Sequence, residues 1–213
     1  MKKIFALLAV ISAPGMVHAA AFQNGSFESG SLSNTGTFDT LYAGSTAITG
    51  WTVTGGNIDY IGGLWQAADG SRSLDMVGNS LGSIAQTFDT TAGAQYKVDF
   101  ALSSNIAGGL SQKILRVVAG NEFDDYTYLP TGLNANNNML WAENSFTFTA
   151  DAATTMLSFQ AINGLCCYGA ALDNVRVTQI AAPVPEPETY AMMLAGLGLL
   201  GYMGRRRRHR AAA

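Results

Sequence analysis

The chain has 213 residues, 48% hydrophobic and only 13% charged, with a net charge of −3. Seven of its twelve basic residues sit at the two ends, so residues 21–180 hold five (Arg72, Lys97, Lys113, Arg116, Arg176) against thirteen acids, near −8; such a surface repels phosphate backbones and argues against nucleic acid as a partner. The two histidines, His18 and His209, also lie in the ends, which removes Ser-His-Asp and Cys-His nucleophile pairs and nearly every zinc arrangement from the middle of the chain.

In chain order, Met1-Lys-Lys is a positive n-region, Ile4–Ser12 an apolar h-region, and Val17-His-Ala19 a small-residue cleavage pattern. Residues 1–20 therefore read as a secretory signal peptide, outside the fold. Residues 21–180 are one domain's worth of chain, long enough to bury a core. Period-two alternation recurs there in short runs bounded by Gly, Asn, Asp and Ser. Tyr96–Leu102 is the clearest, joined by Ser145–Thr149, Thr155–Ala161 and Leu172–Val177, with earlier candidates at Ile48–Val53, Asn57–Ile61, Arg72–Met76 and Ser83–Phe88. No stretch repeats apolar residues at helical spacing for three turns. The expected fold is all-β: a two-sheet sandwich of the jelly-roll kind.

Residues 181–188 form a proline-spaced acidic linker that favours extended polyproline geometry. An uncharged apolar run over 189–204 follows, and then a basic tail, 205–213, with five arginines. Basic residues beside a span stay on the cytoplasmic side, so the domain lies outside. Sixteen apolar residues fall short of the roughly 20 that a stable span requires. A marginal span suits a segment handed to a processing enzyme. Val184, Pro185, Glu186 and Pro187, the hydrophobic helix and the arginine cluster together resemble the PEP-CTERM sorting signal of Gram-negative bacteria. That resemblance implies export across the inner membrane, transient membrane attachment through the helix, and cleavage by an exosortase.

The domain carries a second set of motifs: Asn24-Gly-Ser-Phe-Glu28, Gly50-Trp51, Ile58-Asp-Tyr-Ile61, Asp69-Gly-Ser-Arg-Ser-Leu-Asp75, Gly82-Ser-Ile-Ala-Gln-Thr-Phe88 and a closing Leu172-Asp-Asn-Val175. In this order they resemble the choice-of-anchor C family, itself similar to the DUF642 domains of plant cell walls and to galactose-binding-like jelly rolls. The family has no agreed activity; it implies a fold and a polysaccharide setting. The resemblance also implies that the opening and closing strands lie side by side. Glu28 and Asp173, with Asn24, would then hold a structural calcium or form a hydrogen-bonded polar seam; no other cofactor is expected. The adjacent Cys166 and Cys167 stand in an oxidising compartment. A strained vicinal disulfide, two free thiols and intermolecular bonds are all open to them.

Flat rings stack on pyranose faces while amides and carboxylates bond the hydroxyls. Trp51 reads as core. Trp65, in a glycine-flanked loop, reads as exposed, and Tyr126, Tyr128 and Trp141 flank the polar stretch 132–138; these four are the candidate glycan-binding residues. Asp124-Asp125 point to opposite faces of a strand and cannot form a glycosidase pair, whereas Asp59 with Asp75 stays open as a spatial pair. No catalytic residue is assigned. The expectation is a non-enzymatic surface or matrix protein associated with exopolysaccharide. A structural or adhesive protein without glycan affinity is the alternative, and a glycan hydrolase a third.

Overall fold

The computed structural model describes residues 21–31, 37–164, 166–181, 192–197 and 199. The expected signal peptide, the Val184–Pro187 motif, the basic tail and much of the 189–204 segment lie outside the described residues. Residues 192–197 are helical, and no helix among the described residues is long and apolar enough to cross a membrane.

Among the described residues, eleven strands and one 3-10 turn, Ile106–Gly108, make the domain. The six-stranded sheet runs β1 (Phe38–Tyr42), β3 (Asn57–Ile61), β4 (Ser73–Asp75), β11 (Ala170–Ala181), β6 (Gln95–Ser104), β9 (Ala142–Thr149). The five-stranded sheet runs β2 (Thr52–Gly55), β5 (Ser83–Asp89), β10 (Thr154–Ala161), β7 (Lys113–Ala119), β8 (Glu122–Tyr128). Every neighbouring pair is antiparallel. This is the two-sheet jelly-roll sandwich that the alternating runs predict. Alternate side chains fill the space between the sheets, seen in the strict in-and-out burial of β7. Trp51, at 2% exposure, packs against Phe27 and Phe159, and Phe100 against Phe159.

The opening and closing motifs dock on each other. Asn24 adopts a left-handed conformation (φ 54°), for which Asn is suited. Its Oδ1 accepts from the Ser29 N–H at 2.9 Å, its Nδ2 donates to the Ser29 and Thr49 carbonyls at 2.8 Å, and its carbonyl accepts from the Trp51 indole at 3.0 Å. The turn delivers Gly25 to the last strand, where its carbonyl accepts from the Val175 N–H at 2.9 Å. A bulge between Asp173 and Arg176, with Asn174 at φ 52°, frees Val175 for that bond.

β3 and β4 are buried on both faces. Their core faces carry Ile58, Tyr60 and Leu74. Their outer faces are roofed by loops, where Ile61, Trp65, Met139 and Ala171 form a second apolar cluster joined by Leu64 and Trp141. Gln66 ties two of these loops by donating its N–H to the Asn136 carbonyl at 2.7 Å.

Candidate functional site

The roof does not cover the outer face of β3 and β4 completely. A cleft of about 190 Å³ remains, lined by Asp59 and Asp75 from the sheet, Trp65 and Leu64 from the β3–β4 loop, Asn105 from the end of β6, and Phe38, Cys167 and Tyr168 at its edges. Asp59 and Asp75 are direct cross-strand partners, so their side chains leave the sheet on the same face, one strand spacing apart.

Asp75 is fully buried. Its Oδ1 accepts from the Val77 and Gly169 N–H groups, both at 2.9 Å, and its Oδ2 from Asn105 Nδ2 at 2.8 Å. Burial nevertheless pushes its carboxyl up to about 7, with Asp59 adding repulsion and the three hydrogen bonds opposing. Asp59 accepts from the Thr40 hydroxyl at 2.6 Å and is likewise raised, by burial first. Asn105 is the positioning residue. Its Oδ1 accepts from the Ala107 N–H, capping the 3-10 turn, while its Nδ2 also reaches the Cys167 carbonyl at 3.0 Å. Lys113 is 1% exposed, its ammonium donating to Ser111 Oγ at 2.9 Å. Burial lowers its pKa and the charge of Asp75 opposes that. Gly169 is required here: a Cβ would stand 2.3 Å from Asp75 Oδ1.

The four candidate aromatic residues do not form one exposed platform. Trp65 is only 6% exposed, contrary to the sequence expectation, because its ring anchors the second apolar cluster and its indole N–H is satisfied by Ser73 Oγ at 2.8 Å. Trp141 packs with it, half-buried, donating to the Gln66 carbonyl at 3.0 Å. Tyr126 and Tyr128 belong instead to the main core. Tyr126 sits edge-on to Phe100 and donates to the Ser145 carbonyl, burial pushing its phenol up to about 12. Tyr128 donates to the Leu140 carbonyl and accepts from Asn134, and so organises the polar loop from within. Of the four, only Trp65 lines the cleft.

Glu28 and Asp173 grip the β3–β4 loop from two sides. Asp173 accepts from the N–H groups of Ala68 (2.7 Å), Asp69 (3.0 Å) and Asn174 (2.6 Å), and Glu28 from those of Ser71 (2.8 Å) and Arg72 (2.7 Å). Ser71 Oγ bonds the second oxygen of Glu28. Calcium needs six to eight oxygen ligands. Here the carboxylates face N–H donors, Asn24 is committed to its own turn, and no group of three or more His, Cys, Asp or Glu among the described residues is arranged for a metal. The hydrogen bonds present form a polar seam, and we propose that the seam alone joins the two motifs. Adding calcium or a chelator is therefore expected to leave the melting temperature unchanged. A cation site filled a hundredfold above its Kd would add about 2.7 kcal/mol, a rise of roughly 5–10 °C, and such a rise would overturn this reading. Cys166 and Cys167 stand as free thiols in the structure. Cys167 holds φ 75° with its N–H on the Gly78 carbonyl, and the adjacent Cys166 thiol pushes its own thiol up to about 11.

A larger depression, about 460 Å³, lies on the outer face of the five-stranded sheet among Thr54, Ser83, Met156, Ser158 and Gln160. It is lined by no ionisable or aromatic side chain, unlike the Asp59–Asp75 cleft. Sequence reasoning missed Asn105, Lys113 and Tyr168, which no local pattern marks. Asp59 and Asp75 stay open to it only as one spatial pair among others, which the structure brings together as cross-strand partners.

Fold and tail together define a class: a jelly-roll domain carrying a signal for export and surface sorting. Residues 183–208 match the PEP-CTERM protein-sorting motif. Residues 20–178 match the family described as "Protein of unknown function (DUF642)", and the chain belongs to that family. It is 32% identical over 192 residues to halomucin of Haloquadratum walsbyi, a match spanning 85% of this chain but about 2% of that protein's length. Among solved structures it is similar to a family 35 carbohydrate binding module from Clostridium thermocellum (13% identity, TM-score 0.47, 67% of this chain and 99% of the other). It is also similar to TmCBM61 in complex with beta-1,4-galactotriose (15% identity, TM-score 0.45, 76% and 99%).

Proposed function

We propose that this is a non-enzymatic surface or matrix protein, released from its leader near residue 20, processed by an exosortase at Val184–Pro187, and associated with exopolysaccharide through its sandwich. The sorting motif supports the route. The observation that carries the glycan reading is the cleft itself. It brings two carboxylates and an amide, able to bond hydroxyls, against the rings of Trp65, Phe38 and Tyr168 in a space suited to one sugar ring. Its volume lies below the roughly 300–1,000 Å³ of pockets that engulf larger ligands, so a chain end or a single protruding residue is the unit recognised.

Affinity electrophoresis through the producing strain's own exopolysaccharide tests this. The protein is expected to be retarded, and Tyr168→Ala, at an exposed edge of the cleft, to weaken retardation roughly tenfold. Tyr168 is a better probe than Trp65, whose removal would open a core cavity costing roughly 3–5 kcal/mol. Equal migration with and without glycan would favour a structural or adhesive protein with protein partners. Release of reducing sugar, abolished in Asp59→Asn and Asp75→Asn, would establish a hydrolase instead.

A further inference from the structure

We propose that the cleft recognises a protonated amine, so that the sugar it selects is a hexosamine with a free, unacetylated amino group. This rests on the glycan reading above and narrows it to a substrate class.

Three observations converge. Asp59 and Asp75 face the same small space, 6% and 0% exposed, and among the described residues the ion pairs are Lys97–Asp99, Arg116–Asp125 and Arg176–Glu143, none of which involves them. Lys113 feels the charge of Asp75, but its ammonium donates to Ser111 Oγ and forms no ion pair with either carboxyl. Asp75 already accepts three N–H bonds, whereas Asp59 accepts from the Thr40 hydroxyl and is the carboxyl left to a guest; a buried charge there is costly unless a cation with N–H donors settles it. An ammonium offers three such donors and one charge, and charge-assisted bonds of this kind are the strong ones.

The remaining walls suit the same guest. Trp65, Phe38 and Tyr168 present ring surface around the carboxylates, and an ammonium near aromatic faces is attracted by their quadrupoles. Asn136, which also lines the space, leaves an amide for the hydroxyls of the ring that carries the amine. A neutral sugar would leave Asp59 without a counter-charge, and a uronic acid would add a further negative charge beside it.

The surroundings act in the same direction. Residues 21–180 carry five basic side chains against thirteen acids, so a glycan bearing free amines is drawn toward the domain at low ionic strength and an acidic one is repelled. That long-range attraction is unspecific, and the test has to separate it from the cleft.

Isothermal titration of the secreted protein with a glucosamine tetramer, its fully N-acetylated counterpart and cellotetraose is the experiment. The free-amine oligomer is expected to bind at least about tenfold tighter than either of the others. Asp59→Asn is expected to weaken it roughly 10-fold to 100-fold, the range of one hydrogen bond to a charged group. Asp124→Asn, which removes the same charge from exposed β8, should change little. Equal affinities for the three oligomers, or equal losses in the two variants, would overturn the inference. If Asp59→Asn does not fold, the comparison among oligomers on the unaltered protein decides alone. Binding of the strain's own exopolysaccharide without preference for the amine would overturn this inference and leave the broader glycan reading standing. Folded protein that binds none of them would end both.

Discussion

Stability is expected to fall as pH rises from 5 to 8, the reverse of ordinary acid denaturation. The cause is Asp75, whose folded carboxyl is raised from 3.8 to about 7, by burial above all. Between those values the folded chain keeps a proton that the unfolded chain has released. The stabilising contribution is therefore complete below about pH 4 and lost as pH climbs through 7. Linkage for this one group gives roughly 2–3 kcal/mol between pH 5 and pH 8, a drop of roughly 5–10 °C in melting temperature. Asp173, also raised to about 7 by burial, acts in the same direction. Thermal melts across this range check the sign directly. Asp75→Asn should flatten the slope without raising stability overall. Its amide oxygen can still serve Val77 and Gly169, but its NH₂ would meet the NH₂ of Asn105. A melting temperature that climbs from pH 5 to pH 8, or a slope unchanged in the variant, would refute the assignment.

Gly25→Ala should be among the most damaging single substitutions in the domain. A Cβ at residue 25 would lie 1.7 Å from the Val175 carbonyl oxygen and 2.8 Å from its carbon. Those are backbone atoms of a central strand, which have no rotamer to change. The opening segment would have to lift off β11, losing the Val175–Gly25 hydrogen bond and disturbing Phe27, which is fully buried two residues on. A cost of at least about 3 kcal/mol is expected, above the usual range for overpacking. Gly132→Ala is the matched control, because nothing lies within 4 Å of a Cβ there; it should shift stability by less than about 0.5 kcal/mol. Chemical denaturation of the two variants side by side provides the measurement.

Much of the fold was legible because period-two alternation survives wherever one strand face meets the core. Tyr96–Leu102 and Thr155–Ala161 are read correctly from that pattern and fall within β6 and β10. β7 escapes it because Ile114 and Val118 are apolar on the outer face too, while its buried phase begins with a lysine. β8 escapes because it is an exposed edge strand whose charges hide the alternation. The site was less legible. Burial of Trp65 depends on a loop from 70 residues further along folding over the sheet, and no local spacing encodes that roof. Asn105 acquires its role only through partners far along the chain, Asp75 and Cys167. The Asn24-Gly-Ser-Phe and Asp173-Asn-Val motifs were recognisable as a pair, but the reason for the glycine is visible only where two backbones cross.

The position of β11 has a mechanical consequence. The strand nearest the sorting tail lies inside its sheet, hydrogen-bonded along β6 for most of its length and flanked by β4. A pull applied through the tail runs along that strand, so its bonds to β6 share the load in shear instead of opening one by one like a zipper. If the tail is held by a membrane or wall and later trimmed, as proposed above, the domain would bear drag at its anchored end, and trimming would remove the leash without touching the strand that carries the force.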